Sequence, residues 1–132
     1  MKEATGKAQD PKPVKLVQAQ AEDLPFEDNS FDAVTCVYLF HELPGPVRAK
    51  VAKEMARVVK PGGMVVFSDS FQAGERDAIP NQDDFRLFNE PHYRDYVRHS
   101  SISRLFEEQG LVCDEKYVNS RTKTLSFIKP LK

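Results

Sequence analysis

The chain has 132 residues, enough for one domain with one core and too few for two. Hydrophobic residues make up 40% and charged residues 30%, an ordinary soluble globular balance. With a formal net charge of -1 there is no broad basic field for nucleic acid or an anionic membrane, so neither is an expected partner.

No apolar run approaches the roughly 20 residues a bilayer-spanning helix needs. The opening MKEATGKAQDPKP lacks the apolar centre of a secretory signal. Cys36 and Cys113 lie far apart in sequence, inside apparent strands. They read as small buried thiols in a reducing, cytoplasmic setting rather than as a disulfide or metal ligands.

Residues 1–13 are polar and Pro-containing, and read as a flexible leader or a cut point in a longer gene product. Residues 14–132 read as a single domain. VKLVQAQ (14–20) carries Val14, Leu16 and Val17 and predicts a short strand. Residues 21–30 form a loop held by Leu24, Pro25 and Phe26, with Glu27-Asp28-Asn29-Ser30 turning the chain.

FDAVTCVYLF (31–40) is nearly all apolar, which suits a central parallel strand covered on both faces. His41-Glu42-Leu43-Pro44-Gly45 follows as a loop, and Pro46 opens a helix. Val47, Val51, Met55, Val58 and Val59 line one helical face; Arg48, Lys50, Lys53 and Glu54 are assigned to the other. Lys60-Pro61-Gly62-Gly63 is the predicted stop. MVVFSD (64–69) is a second buried strand, parallel to the first through a right-handed crossover.

Residues 72–100 read as a lid-like insertion with short helices over 83–88 and 93–97. Ser101 caps a helix carrying Ile102, Leu105 and Phe106 and closed by Gly110; strands over 111–118 and 122–128 then form a hairpin.

AEDLPFEDNSFDAV, then Leu39-Phe40-His41-Glu42-Leu43, then EMARVVKPGGMVVFSD resembles class I S-adenosylmethionine-dependent methyltransferases, in the small-molecule branch with ubiquinone and menaquinone biosynthesis. The resemblance implies an α/β fold: the carboxyl-terminal part of a Rossmann-like methyltransferase, about five strands in a mixed sheet with an antiparallel hairpin at one edge. It implies S-adenosylmethionine as cofactor and methyl transfer to a small-molecule acceptor. Gln20, Ala21 and Glu22 would face the adenine, and Val37, Tyr38 and Leu39 the methionine part. Gln20 stands where the family often has an acid, and its amide oxygen can accept from the adenine amino group.

His41 would face the acceptor as a general base, or brace its loop. Asp69 would approach substrate or turn the chain, and His92, Tyr93 and Tyr96 would line the acceptor pocket or pack. No metal-like spacing of ligands occurs, so no metal site is expected.

The family's glycine-rich loop and ribose-binding acid are expected upstream of these motifs and are not among them. The strand over residues 31–40, from Phe31 to Phe40, would then be an apolar edge. Two repairs are expected: the chain's own first strand against that edge, or a homodimer through it. The alternative function is a non-catalytic relative acting as a dimer or binding subunit.

Overall fold

The computed structural model describes residues 13–70, 92–99, 101–119 and 121–131. One parallel crossover sets the frame. Strand β1 (Phe31–Val37) passes through a 3-10 turn (Phe40–Glu42) into helix α1 (Gly45–Val58), which runs directly into β2 (Val59–Ser70). The two strands pair in parallel, from Ala33 opposite Met64 to Val37 opposite Ser68. Helices α2 (Tyr93–His99) and α3 (Ile102–Glu107) follow, and then β3 (Val112–Val118) and β4 (Thr122–Ile128). The hairpin is antiparallel and sets β4 against β2. Among the described residues the sheet has four strands in the order β1-β2-β4-β3, with β1 and β3 at its edges.

One face of this sheet carries the core. Val51, Ala52, Met55 and Ala56 of α1 pack with Val65 and Phe67 of β2, Leu125 and Phe127 of β4, and Ile102 and Phe106 of α3. Burying each large apolar side chain stabilises the fold by roughly 1.5–3 kcal/mol. Residues alternate along the strands, so the opposite face presents Val37, Met64 and Val112, which are exposed.

The sheet is mixed and the architecture α/β, as the sequence implies, but four expectations change. Residues 14–19 form no strand, and Gln20 makes only an isolated bridge to Asp23, so the sheet has four strands among the described residues. A short run of alternating side chains has too little area to hold a strand without a partner. The repair of the β1 edge by this segment is therefore not what forms: β1 pairs with β2 alone among the described residues. The strand also ends at Val37, short of Phe40, because Tyr38 turns into the left-handed region at φ 53°.

Lys60-Pro61-Gly62-Gly63 is not a helix stop but a bulged part of β2. Phe31 opposes Val59 while Ala33 opposes Met64, so β2 accommodates extra residues there. A Cβ on Gly63 would lie 2.7 Å from the Asp32 carbonyl oxygen, so only glycine allows that approach. The end of α1 is closed instead by the Asn29 and Ser30 N–H groups, which donate to the Arg57 and Val58 carbonyls at 2.9 and 2.7 Å, and by Lys129, whose Nζ donates to the Ala56 and Val59 carbonyls at 2.8 Å each.

Arg48 is the fourth change. It is 2% exposed, not on a solvated face. Its spacing to Ala52 and Met55 puts it on the buried stripe, and hydrogen bonding rather than water satisfies its guanidinium. For the carboxyl-terminal helix, Ser101 occupies the expected cap position without a side-chain cap bond, and Gly110 turns the chain beyond it at φ 90°. The expected helix over 93–97 is α2, whereas the one over 83–88 lies outside the described residues.

Candidate functional site

Carboxyl ends of parallel strands are where such sheets receive ligands, because loops diverge there and leave a crevice. Here β1 and β2 end side by side. The Tyr38 N–H donates to the Ser68 carbonyl at 2.8 Å, so the pairing persists one residue past β1. The left-handed backbone at Tyr38 then sends the chain into the Phe40–Glu42 turn, which brings His41 over the end of β2. The Tyr38 hydroxyl reaches across the sheet to Thr122.

Asp69 lies fully buried at the end of β2. Its carboxylate accepts from His41 Nδ1 at 2.8 Å, from the His41 backbone N–H at 3.2 Å and from the Ser70 N–H at 2.7 Å. Three donors on one carboxylate offset the cost of burying it. The charge is also felt in β1. Burial, reinforced by the Asp69 carboxylate, pushes the Cys36 thiol up to about 11.

Aromatic edges surround the imidazole. Tyr93 stands 5.7 Å from it by ring centroids, Tyr38 6.2 Å and Tyr96 6.4 Å, all near perpendicular. Tyr96 is fully buried and its hydroxyl donates to the Ser70 carbonyl at 2.7 Å. Arg48 locks α2 beside them. It donates to Asp95 at 3.0 Å, to the His92 carbonyl at 3.4 Å and, through Nε, to the Phe40 carbonyl at 3.2 Å. Its guanidinium also lies 5.8 Å from the Tyr96 ring centroid.

Among the expected site residues, His41, Asp69, Tyr38, Tyr93 and Tyr96 thus converge at one end of the sheet. Leu39 is half-buried at the start of the 3-10 turn, Val37 is exposed at the end of β1, and His92 contributes its backbone carbonyl to the Arg48 network. Gln20, Ala21 and Glu22 sit on a separate loop that is fastened to α1 rather than to the His41 cluster.

Two α1 residues do that fastening, and the sequence reading gave neither this role. Glu54 accepts the Leu24 N–H at 2.8 Å. Arg57 donates to the Phe26 carbonyl, the Leu24 carbonyl, Asp28 and Glu54. The Arg57 hydrogen bonds hold the Glu54 carboxyl below its usual range, and the Glu54 and Asp28 carboxylates raise the Arg57 guanidinium above its own. The readable signal was the Glu54–Arg57 spacing, one helical turn apart beside an acidic loop with free carbonyls. For Arg48 the signal was its place on the apolar stripe.

A depression of about 470 Å³ lies elsewhere, lined by Gly45, Arg48, Asp95, Ser101, Arg104, Leu105 and Glu108. No expected cofactor or acceptor residue lines it, and its two arginines face two carboxylates.

The family model for a methyltransferase domain matches residues 1–67, which contain the loop over 20–30, β1, α1 and most of β2. The chain belongs to the methyltransferase-domain family. Demethylmenaquinone methyltransferase of Staphylococcus aureus (strain JH9) is 52% identical over 59 residues, covering 45% of this chain and 24% of that enzyme. The match thus spans about a quarter of the curated relative.

Solved structures share the fold. A SAM-dependent methyltransferase from Methanosarcina mazei superposes with TM-score 0.60 at 17% identity, covering 86% of this chain and 66% of that one. Geranyl diphosphate C-methyltransferase from Streptomyces coelicolor A3(2) gives TM-score 0.61 at 11% identity, covering 83% and 51%. The cyclase SpnF gives 0.66 at 15%, covering 86% and 55%. The sheet is thus the carboxyl-terminal part of a Rossmann-like methyltransferase fold. A cyclase on the same scaffold shows that the chemistry must be argued from the site.

Proposed function

We propose that this chain serves S-adenosylmethionine-dependent methyl transfer to a small-molecule acceptor. The observation that carries the reading is the position of the family match. It falls on the parallel crossover at whose carboxyl end Tyr38, His41 and Asp69 meet.

The methyl donor, consumed in the reaction, supplies an electrophilic methyl group on a sulfonium. The residues present fit part of it. Exposed Val37 and Tyr38 offer an apolar strip for its thioether side, with Leu39 behind them. Gln20 is exposed with both amide groups available to an adenine, and the backbone at Ala21 and Glu22 is steadied by the Glu54 and Arg57 bonds just beyond it. His41 would face the acceptor, with Tyr93 and Tyr96 as the wall behind it. The curated relatives are named for demethylmenaquinone, which supports a small ring-bearing acceptor.

Calorimetric titration with S-adenosylhomocysteine tests this reading. Saturable binding that weakens at least tenfold in Val37→Asp is expected, since a desolvated carboxylate would face the thioether. Absence of binding at millimolar ligand would overturn it.

Among the described residues β1 pairs with β2 alone, which favours a second reading, in which two copies pair through its other edge. A cytoplasmic dimer of this kind would cover the backbone groups that β1 leaves open. Sedimentation of the purified chain decides it: a dimer at micromolar concentration supports the pairing, and a monomer there ends it.

A further inference from the structure

We propose that the depression beside the start of α1 is a binding site for a small zwitterion of the amino-acid type, with Arg48 and Arg104 taking its carboxylate. No residue expected for cofactor or acceptor lines this depression, so the proposal does not rest on the methyl-transfer reading.

A buried guanidinium carries the argument. Arg48 is 2% exposed. Its Nε donates to the Phe40 carbonyl at 3.2 Å, and its Nη2 donates to Asp95 Oδ2 at 3.0 Å and to the His92 carbonyl at 3.4 Å. Among the described residues nothing accepts from Nη1. Two N–H groups of a buried cation are therefore left over, and a buried donor without an acceptor is costly. This nitrogen lies by Gly45, where a Cβ would stand 3.8 Å from it. Gly45 and Arg48 both line the depression, and the glycine leaves the nitrogen open to an acceptor there.

The rest of the lining decides what kind of acceptor fits. Arg104 is an exposed wall residue that commits only Nε, to Glu108 Oε2 at 3.2 Å. Two guanidinium groups with spare N–H groups suit a planar carboxylate. Asp95 and Glu108 complete the charge pattern. In their ion pairs Asp95 uses Oδ2 and Glu108 uses Oε2, so each keeps an oxygen for another donor.

Two positive and two negative side chains balance here. A bare dianion such as phosphate thus meets repulsion as well as attraction. A zwitterion meets its complement at both ends, with its carboxylate at the arginines and its ammonium at the acids. Leu105 adds an apolar contact for a side chain. The volume of about 470 Å³ lies within the roughly 300–1,000 Å³ of small-molecule sites, well beyond what a single ion fills.

Proton–nitrogen NMR of the labelled full chain tests this, with L-leucine as the probe. Leucine at millimolar concentration should shift the Gly45 and Leu105 amides saturably. Leucinamide, which lacks the carboxylate, and 4-methylpentanoate, which lacks the ammonium, should each bind about tenfold more weakly or worse, and inorganic phosphate should not compete. Arg104→Gln alters an exposed side chain, so its spectrum should otherwise match the wild type while leucine binds about tenfold more weakly. Arg48→Lys should lose binding altogether. Absence of a saturable shift, equal binding of the three compounds, tighter binding of phosphate, or wild-type affinity in Arg104→Gln would each overturn the proposal. Shifts confined to Val37 and Tyr38 would do the same, because they would place the leucine on the strip assigned to the methyl donor.

Discussion

The two edges of the sheet are built on opposite principles. β3 reads VCDEKYV, with Asp114, Glu115 and Lys116 exposed in succession and a register shift between Cys113 and Glu115. Charges and a bulge discourage another strand from adding there. β1 reads FDAVTCV, and from Ala33 to Val37 it carries no charge, yet among the described residues it has β2 alone as a neighbour. β3 has the chemistry of an edge, and β1 has the chemistry of a strand with neighbours on both sides. That contrast locates where the fold is open: at β1 and on the exposed face with Val37, Met64 and Val112.

Each edge strand carries one thiol, and these give the largest expected contrast. Cys36 lies on the covered side of β1, where burial and then Asp69 push its pKa up to about 11 from 9.0. That leaves roughly 100-fold less thiolate at pH 8 than an unperturbed thiol has, since each unit is tenfold. Cys113 is raised too, chiefly by burial and then by Glu107, but Lys116 opposes the rise. Maleimide labelling followed by mass spectrometry should find Cys36 reacting well behind Cys113. Equal rates would mean that β1 opens as readily as a free edge.

Glycines beside the two edges differ next. Gly63→Ala would drive a Cβ to 2.7 Å from the Asp32 carbonyl oxygen and 2.9 Å from that of Lys60, so the β1 side should lose about 1–3 kcal/mol. Gly110 has open space around its would-be Cβ but sits at φ 90° before β3, so Gly110→Asn should cost less than Gly63→Ala. Urea unfolding of both variants checks the order. A smaller loss at Gly63 would show that the β1–β2 bulge is loosely packed.

The smallest effect concerns association. Thr35→Lys sets a charge on the exposed side of β1 and should weaken self-association about tenfold, roughly 1.4 kcal/mol. Glu115→Lys on β3 should leave it unchanged. Sedimentation at several concentrations measures both, and a change from Glu115→Lys alone would reverse the assignment of the open edge.

Much of this arrangement was legible in the residues. The apolar runs, the helical stripe from Val47 to Val58 and the turn at Asn119 gave the crossover and the hairpin, because each has a local period or a local turn chemistry. Asn119 accepts the backbone N–H groups of Arg121 and Thr122, as such a turn requires. What escaped depends on partners distant in the chain. Residues 14–20 alternate like a strand, but among the described residues only one bridge, from Gln20 to Asp23, pairs with them. Arg48 is polar by identity and buried by position, which needs Asp95 to make sense. His41 could be named from its place after a strand, and Asp69 from its place at the end of one. Their bond to each other could not, because it spans 28 residues and depends on the left-handed backbone at Tyr38.

Lys129 bears on how the molecule comes together in time. Its Nζ closes the last carbonyls of α1 across sequence separations of 73 and 70 residues, and also meets Asn29 Oδ1 at 2.9 Å across 100. The Arg57 and Val58 carbonyls at the same helix end are taken by the nearer Asn29 and Ser30 N–H groups at 2.9 and 2.7 Å, so only the Ala56 and Val59 carbonyls depend on the segment that follows β4. Closing so long a loop carries an entropic cost that short-range turns avoid.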